Sequence, residues 1–270
     1  MGQKSNVLTL RKSENSSTAL ARNSKTFILG FTFLNFFEKL LSNKNVLLVN
    51  KEINFEANKL YLNFSLFFRS TKVLNYRRRG FNSDKQKISF NFESFNALIK
   101  NHFSLLRTNT VQLSFINLNK SADRKFLTFL FKKLKRFVGV IFSRRFNLFI
   151  DFLKLTDLFA HNKIAAKPYL FLLGQIFRVL PKRKHNRFLV FLKLLFQVII
   201  QDKLSPYSSN IAGIKLIING KLKGKTRSSS SCIQVGSVPV QSLSKNIEFS
   251  KLHVYTLFGS FGFKIWIHRK

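Results

Sequence analysis

The chain is 270 residues long and carries 47 Lys+Arg against 11 Asp+Glu, a formal net charge of +36. A surplus of that size strains a compact fold by self-repulsion unless a polyanion, nucleic acid or an anionic membrane surface, neutralises it. Hydrophobic residues make up 45% of the chain, which excludes a wholly disordered basic tail and leaves room for a core in one or two domains.

Phe occurs 33 times, and Lys, Asn, Leu and Ile are abundant, while Met and Trp occur once each. The frequent residues are those written by A- and T-rich codons, so the composition points to an AT-rich, organellar gene. Cys232 is the sole cysteine, which excludes a disulfide framework and a Cys-based metal site. Next to Ser228, Ser229, Ser230 and Ser231 it reads as a spectator.

Residues 1–26 read as a polar, basic arm, with Lys4, Arg11, Lys12, Arg22 and Lys25 against one acid, Glu14. Such an arm suits a surface of RNA, and equally a transit peptide. The start lacks the apolar run of a secretory signal, and Asn6 stands where myristoylation wants Ser or Thr. Residues 27–120 are a mixed α+β region. Leu60–Phe64, Ile88–Phe92 and Val111–Phe115 alternate like strands, and Phe95–Leu106 has helical spacing.

From Arg124 to about Ala160 the pattern is a basic amphipathic helix. Phe126, Leu130, Leu134, Phe137 and Ile141 form an apolar stripe. Lys132, Lys133, Lys135 and Arg136 form a wet face, either solvated or turned to RNA. A helix pair follows over Pro168–Val179 and His185–Ile200, interrupted by Pro181. The second is apolar nearly all round and is expected to lie on a sheet. Strands are expected at Ile214–Ile218, Val238–Val240, Ile247–Phe249, His253–Leu257 and Phe263–His268, with a hairpin turn at Asn219-Gly220 and another between Gly259 and Gly262.

Charges break every apolar run short of the roughly 18–20 residues of a membrane span; Phe188–Ile200 comes nearest, interrupted by Lys193 and Gln197. Phosphate-loop, zinc-protease, nucleophile-elbow and Cys-pair motifs are all missing, so no catalytic residue, metal or cofactor is expected. Asp151 and Asp157 read as surface acids offsetting lysines, and His185 as a surface residue or RNA contact within a basic cluster. An organellar intron maturase would share the charge, but it would need paired acidic metal ligands, which the sequence does not offer.

The C-terminal third resembles small-subunit ribosomal protein S3. The residues that carry the likeness are Gly213-Ile214-Lys215-Leu216-Ile217-Ile218-Asn219-Gly220, the basic Lys221-Leu222-Lys223-Gly224, Gly236 to Leu243, Asn246 to Phe249, and Phe258-Gly259-Ser260-Phe261-Gly262-Phe263-Lys264-Ile265-Trp266-Ile267. Met1-Gly2-Gln3-Lys4 matches the family's start. The resemblance implies an α+β protein with a degenerate KH-like domain over 27–120, a basic helical insertion over 121–167, and a C-terminal domain of two helices on a small sheet over 168–270. KH domains clamp nucleic acid with a Gly-x-x-Gly loop. Residues 27–120 lack one; Arg77-Arg78-Arg79-Gly80 retains one glycine and much charge. The family implies a structural, non-enzymatic place on the subunit head, beside the channel where messenger RNA enters. Its partners there are small-subunit ribosomal RNA, messenger RNA and neighbouring ribosomal proteins. Divergence with the codon bias suggests a mitochondrially encoded form. The family's basic trio maps onto Arg183, Lys184 and Arg187, extended by Arg178 and Lys182, and Lys221, Lys223, Lys225 and Arg227 form a second RNA-facing group.

A chain so charged and so rich in Phe is expected to be poorly soluble and partly folded at low ionic strength without RNA. A monomer with a cooperative melt in the absence of nucleic acid, followed by light scattering and circular dichroism, would overturn that expectation.

Overall fold

A computed structural model of the chain describes residues 46–56, 59–69, 110–142, 146–201, 209–222, 226–257 and 259–270, with Glu38, Leu41 and Ala97. The fold is α+β and divides into two units, one within Ser17–Lys120 and one from Ser121 to Lys270.

In the first unit, β1 (Val46–Glu56) and β2 (Lys59–Phe68) pair antiparallel, and β3 (Thr110–Asn117) pairs parallel to β2, in the order β1-β2-β3. Leu62, Phe64 and Leu66 of the central strand are buried, and Phe64 stacks on Phe115 at 5.8 Å. Asn119 extends the sheet edge with its side chain. Its Oδ1 accepts from the Phe68 N–H at 2.9 Å, and its Nδ2 donates to the Phe68 carbonyl at 2.7 Å. Strand β1 has no counterpart in the sequence reading. Its register skips Val49, passing from Leu48↔Leu66 to Asn50↔Ser65, and this bulge breaks the alternation that marks a strand. The expected elements at Ile88–Phe92 and Phe95–Leu106 lie outside the described residues, apart from Ala97.

The second unit begins with α1 (Arg124–Phe142) and α2 (Phe146–Ala160). The expected single helix over 124–160 is therefore two. The stripe on α1 is where the periodicity puts it: Phe126, Leu130, Leu134 and Ile141 are buried. Helix α2 closes with Asn162 at φ 60°, a left-handed stop. The Asn162 N–H donates to the Phe159 carbonyl and that of Lys163 to Leu158, which satisfies two end carbonyls.

Helices α3 (Ala166–Val179) and α4 (His185–Gln201) flank a short 3-10 turn, Lys182–Lys184. Four antiparallel strands follow: β4 (Ile211–Gly220), β5 (Ser229–Gly236), β6 (Ile247–Thr256) and β7 (Gly259–Arg269), in the order β5-β4-β7-β6. Helix α3 packs on β6 and β7, α4 on β4 and β5, and α1 against α2 and α4. The segment that the sequence reading set apart as an insertion thus shares a core with the C-terminal sheet. Phe191 is its hub, with the rings of Phe137, Phe149, Phe152 and Phe188 at 6.0 to 6.2 Å. Truncating so enclosed a ring to alanine costs about 3–5 kcal/mol.

Several local expectations change. Val238–Val240 is irregular, and the two short strands expected at Ile247–Phe249 and His253–Leu257 are one, β6. The Ser-rich run is strand β5, with Cys232 exposed; serines hide a strand because its outward face carries no alternating signal of its own. Asn219-Gly220 ends β4 rather than forming a two-residue hairpin turn. Gly262 is a mid-strand residue of β7, paired with Asn219 and His253, and a Cβ there would meet nothing within 4 Å.

The demanding glycine is Gly236 instead. Its φ is +73°, and a Cβ would lie 2.3 Å from the Ala212 carbonyl oxygen. Gly236→Ala is expected to destabilise by at least about 1–2 kcal/mol, the cost of the left-handed backbone alone. Gly262→Ala is expected to leave the melting temperature nearly unchanged. Thermal denaturation of both variants in the RNA-bound chain checks the pair, and equal melting temperatures would refute the distinction.

Candidate nucleic-acid interface

Four acids are described in the second unit, Asp123, Asp151, Asp157 and Glu248, and three of them accept backbone N–H groups at helix starts. Asp151 and Asp157 are buried on α2, where the sequence reading placed them on the surface. The spacing suits either face of a helix; the neighbouring helix α1 decides it. Asp157 accepts the Asp123 N–H at 2.7 Å, and Asp123 Oδ1 accepts the Lys125 N–H at 3.0 Å, so two carboxylates in series cap α1. His161 Nδ1 lies 2.9 Å from both Asp157 Oδ1 and its backbone oxygen. Burial raises the Asp157 pKa, although the Asp123 hydrogen bond and the charges of His161 and Lys163 pull it back.

Glu248 joins three elements. Oε1 accepts the N–H of Ala166, the first residue of α3, and Oε2 accepts Arg269 Nε–H at 3.1 Å and Nη2–H at 2.7 Å. Arg269 Nη2 also donates to the Ile164 carbonyl at 3.0 Å, with the guanidinium 5.7 Å over the Phe159 ring.

Most of the basic groups lie on the surface. Arg178 ends α3, Lys182 and Arg183 lie on the 3-10 turn, and Arg187 opens α4; all four are exposed. Lys184 departs from the trio. It is half-buried, and its Nζ donates to the Ile141 carbonyl at 3.3 Å, fastening the turn to α1. Lys132, Lys133, Lys135 and Arg136 are exposed on α1, and Lys221 and Arg227 border β4 and β5. Lys223, Lys225, Arg77, Arg78 and Arg79 lie outside the described residues. Among the described residues no group of three or more metal-ligating side chains gathers, and no helix is long and apolar enough to cross a membrane.

His185 is not a surface contact. It is 1% exposed, stacked on Phe177 at 4.3 Å and edge-on to Phe261 at 5.9 Å. The sequence places it among cations, but the helix start turns it inward. Sequence reasoning also passed over Lys215, Lys251, Lys264 and Trp266, which share the face of the sheet opposite the buried strand residues. Their signal was the two-residue alternation of β4, β6 and β7.

Residues 196–267 match the family model described as ribosomal protein S3, C-terminal domain, from the last turns of α4 through all four strands. Residues 196–267 therefore carry a domain of the ribosomal protein S3 C-terminal type. Among its relatives, the small ribosomal subunit protein uS3c of Trieres chinensis is 32% identical over 65 residues, covering 24% of this chain and 30% of the relative. That of Chara vulgaris is 39% identical over 62 residues, 23% of this chain and 28% of the relative. That of Zea mays is 37% identical over 59 residues, 22% and 26%. The chain thus matches under a third of the length of these S3 relatives. The family match begins at Phe196, beyond the basic turn, so the roles of Arg183 and Arg187 rest on their own geometry and on the resemblance of the helix pair.

Burial lowers the His185 pKa below its ordinary value of 6.5, with Lys182 adding to the effect and a backbone hydrogen bond to Leu180 opposing it. The folded S3 domain therefore resists a proton that the unfolded chain accepts. Stability is expected to be flat above about pH 6.5 and to fall as the pH drops below it, where the unfolded state gains the proton. His185→Phe is expected to weaken that dependence. Urea melts of both proteins at pH 5.5 and 7.5 check it, and an unchanged pH difference would exclude His185 as its source.

Proposed function

We propose that the chain is a structural constituent of the small subunit of an organellar ribosome, held by ribosomal RNA on the subunit head beside the channel where messenger RNA enters. The observation that carries the reading is the exposed arc of Arg178, Lys182, Arg183 and Arg187, on the same fold unit as the S3 domain. An arc of this kind attracts phosphate without reading sequence, which suits both ribosomal RNA and a channel that must pass any message. The first turn of α4 adds the positive end of a helix dipole. Lys132, Lys133, Lys135 and Arg136 on α1 give the same unit a second phosphate-facing edge, and Lys221 and Arg227 a third.

In this reading residues 27–120 are a degenerate KH domain, with Arg77, Arg78 and Arg79 as a cluster of basic charge. The uS3c relatives support an organelle ribosome. The Phe-, Asn- and Lys-rich composition and the helical segment over 121–167 lead us to place it in the mitochondrion. Neighbouring ribosomal proteins are its further partners.

The arc separates two roles that the trio would merge. Arg183→Gln with Arg187→Gln is expected to assemble into subunits at near-normal levels but to slow translation through messages with hairpins. Lys184→Met is expected to weaken the fold, because its thioether cannot donate the hydrogen bond to the Ile141 carbonyl. Sucrose-gradient profiles and translation of hairpin-containing against unstructured messages check both. Failed assembly of the arginine variant would reassign the arc to ribosomal RNA anchoring, and normal behaviour in both assays would remove it from function.

A further inference from the structure

The C-terminal sheet buries one face under α3 and α4, while the other is lined by exposed and half-exposed side chains, apart from Ile247, which is buried at one end of it. The strand registers arrange that outward face in rows. Gln234, Lys215, Trp266 and Phe249 form one row across β5-β4-β7-β6, and Cys232, Ile217, Lys264 and Lys251 form the next. Among its described residues the face holds no acid. Trp266 and Phe249 touch at 5.0 Å between centroids, both half-exposed, and Lys215 Nζ lies 5.9 Å over the Trp266 ring. One row further on, Gly262 leaves the middle of the face bare, with nothing within 4 Å of where a Cβ would stand. A glycine inside a strand weakens it, and often marks a place where another chain approaches closely.

We infer that this open face holds an unpaired segment of RNA, with a base stacked on the Trp266–Phe249 pair and phosphates drawn to Lys215, Lys251 and Lys264. Several observations converge on that occupant. Aromatic rings on the exposed face of an antiparallel sheet stack unpaired bases, which a duplex keeps stacked inside itself. Three lysines without an opposing acid complement a phosphate backbone and repel a basic partner. The ammonium of Lys215 now covers the indole; an arriving base takes that place, and the flexible lysine stem carries the charge to a phosphate beside it. The bare patch at Gly262 lets the strand of RNA lie close to β7. This surface deepens the reading of the chain as a ribosomal RNA-binding protein and rests on it. It is distinct from the arginine arc, which lies on helix ends.

Trp266 is the sole tryptophan of the chain, so its emission reports on this face alone. The full-length chain is titrated, in salt high enough to keep it dispersed, with fluorescently labelled oligouridylate and separately with inorganic polyphosphate. Label anisotropy records RNA binding independently of the tryptophan. Oligouridylate is expected to quench Trp266 roughly twofold or more through base stacking. Polyphosphate, which neutralises charge but cannot stack, is expected to leave it nearly unchanged. Lys251→Gln with Lys264→Gln is expected to lower the slope of log affinity against log salt by roughly one to two, at about 0.7 for each phosphate no longer neutralised. In assembled subunits, ultraviolet cross-linking followed by peptide mapping is expected to join RNA to the β6 and β7 peptides. Oligouridylate binding with Trp266 emission unchanged, or equal quenching by polyphosphate, would overturn the stacking site. Subunits whose β6 and β7 peptides cross-link to protein alone would assign the face to a neighbouring protein. Failure to bind RNA at all would defeat the proposed function as well, so the two readings fail separately.

Discussion

The second unit depends on how a chain with so few acids uses them. Eleven carboxylates cannot neutralise 47 cations anywhere on the surface. Three of the four described in this unit bond the starts of helices instead. Glu248 fixes the start of α3, the end of β7 and the loop before α3 through one carboxylate and one guanidinium. Asp157 fixes the start of α1 from the neighbouring helix α2. Burying a carboxylate is costly unless its oxygens are bonded, and Glu248 meets that condition with three donors. The consequence for the surface is as large as for the core. A carboxylate spent inside the fold is one fewer to offset the surface lysines and arginines, so the rule that organises the fold also favours the proposed polyanion surface.

What could be read from the sequence follows from how sharply each element's burial is two-sided. Helix α1 has one wet face and one buried face, and its stripe of Phe126, Leu130, Leu134 and Ile141 was plain. Helices α3 and α4 were plain for the same reason, with Pro181 marking the break. Strand β5 was hidden because Ser229 to Cys232 carry almost no hydrophobic contrast, although Ile233 and Val235 are buried. Strand β1 was hidden by its bulge at Val49. Gly262 was read as a turn because two glycines three apart in sequence usually make one; the pairing with Asn219 and His253 overrides that local signal.

The candidate site divides in the same way. Arg183 and Arg187 were named from the family resemblance, with charge and spacing in support, and both are exposed. Lys184 and His185 sit in the same run of sequence, yet one holds the Ile141 carbonyl and the other lies under Phe177. Tertiary packing makes that choice, and no local pattern announces it. The sheet's aromatic face escaped for the opposite reason. Its residues come from strands far apart in the chain and become a surface only through the β4–β7 and β6–β7 registers.

The strand order β5-β4-β7-β6 has a consequence for the way the domain comes together. It is two antiparallel hairpins, β4–β5 and β6–β7, joined along a single line where β4 meets β7. Each hairpin is local and can close as soon as its second strand leaves the ribosome that makes it. The joining line cannot, because β4 waits for the last strand of the set. Until then β4 and β7 each offer an open edge rich in Ile and Phe, the arrangement that invites mispairing with another copy. During that interval Lys215 on β4 and Lys264 on β7 provide mutual repulsion between nascent copies, a kinetic safeguard supplied by the same charge that the proposed function directs to a polyanion.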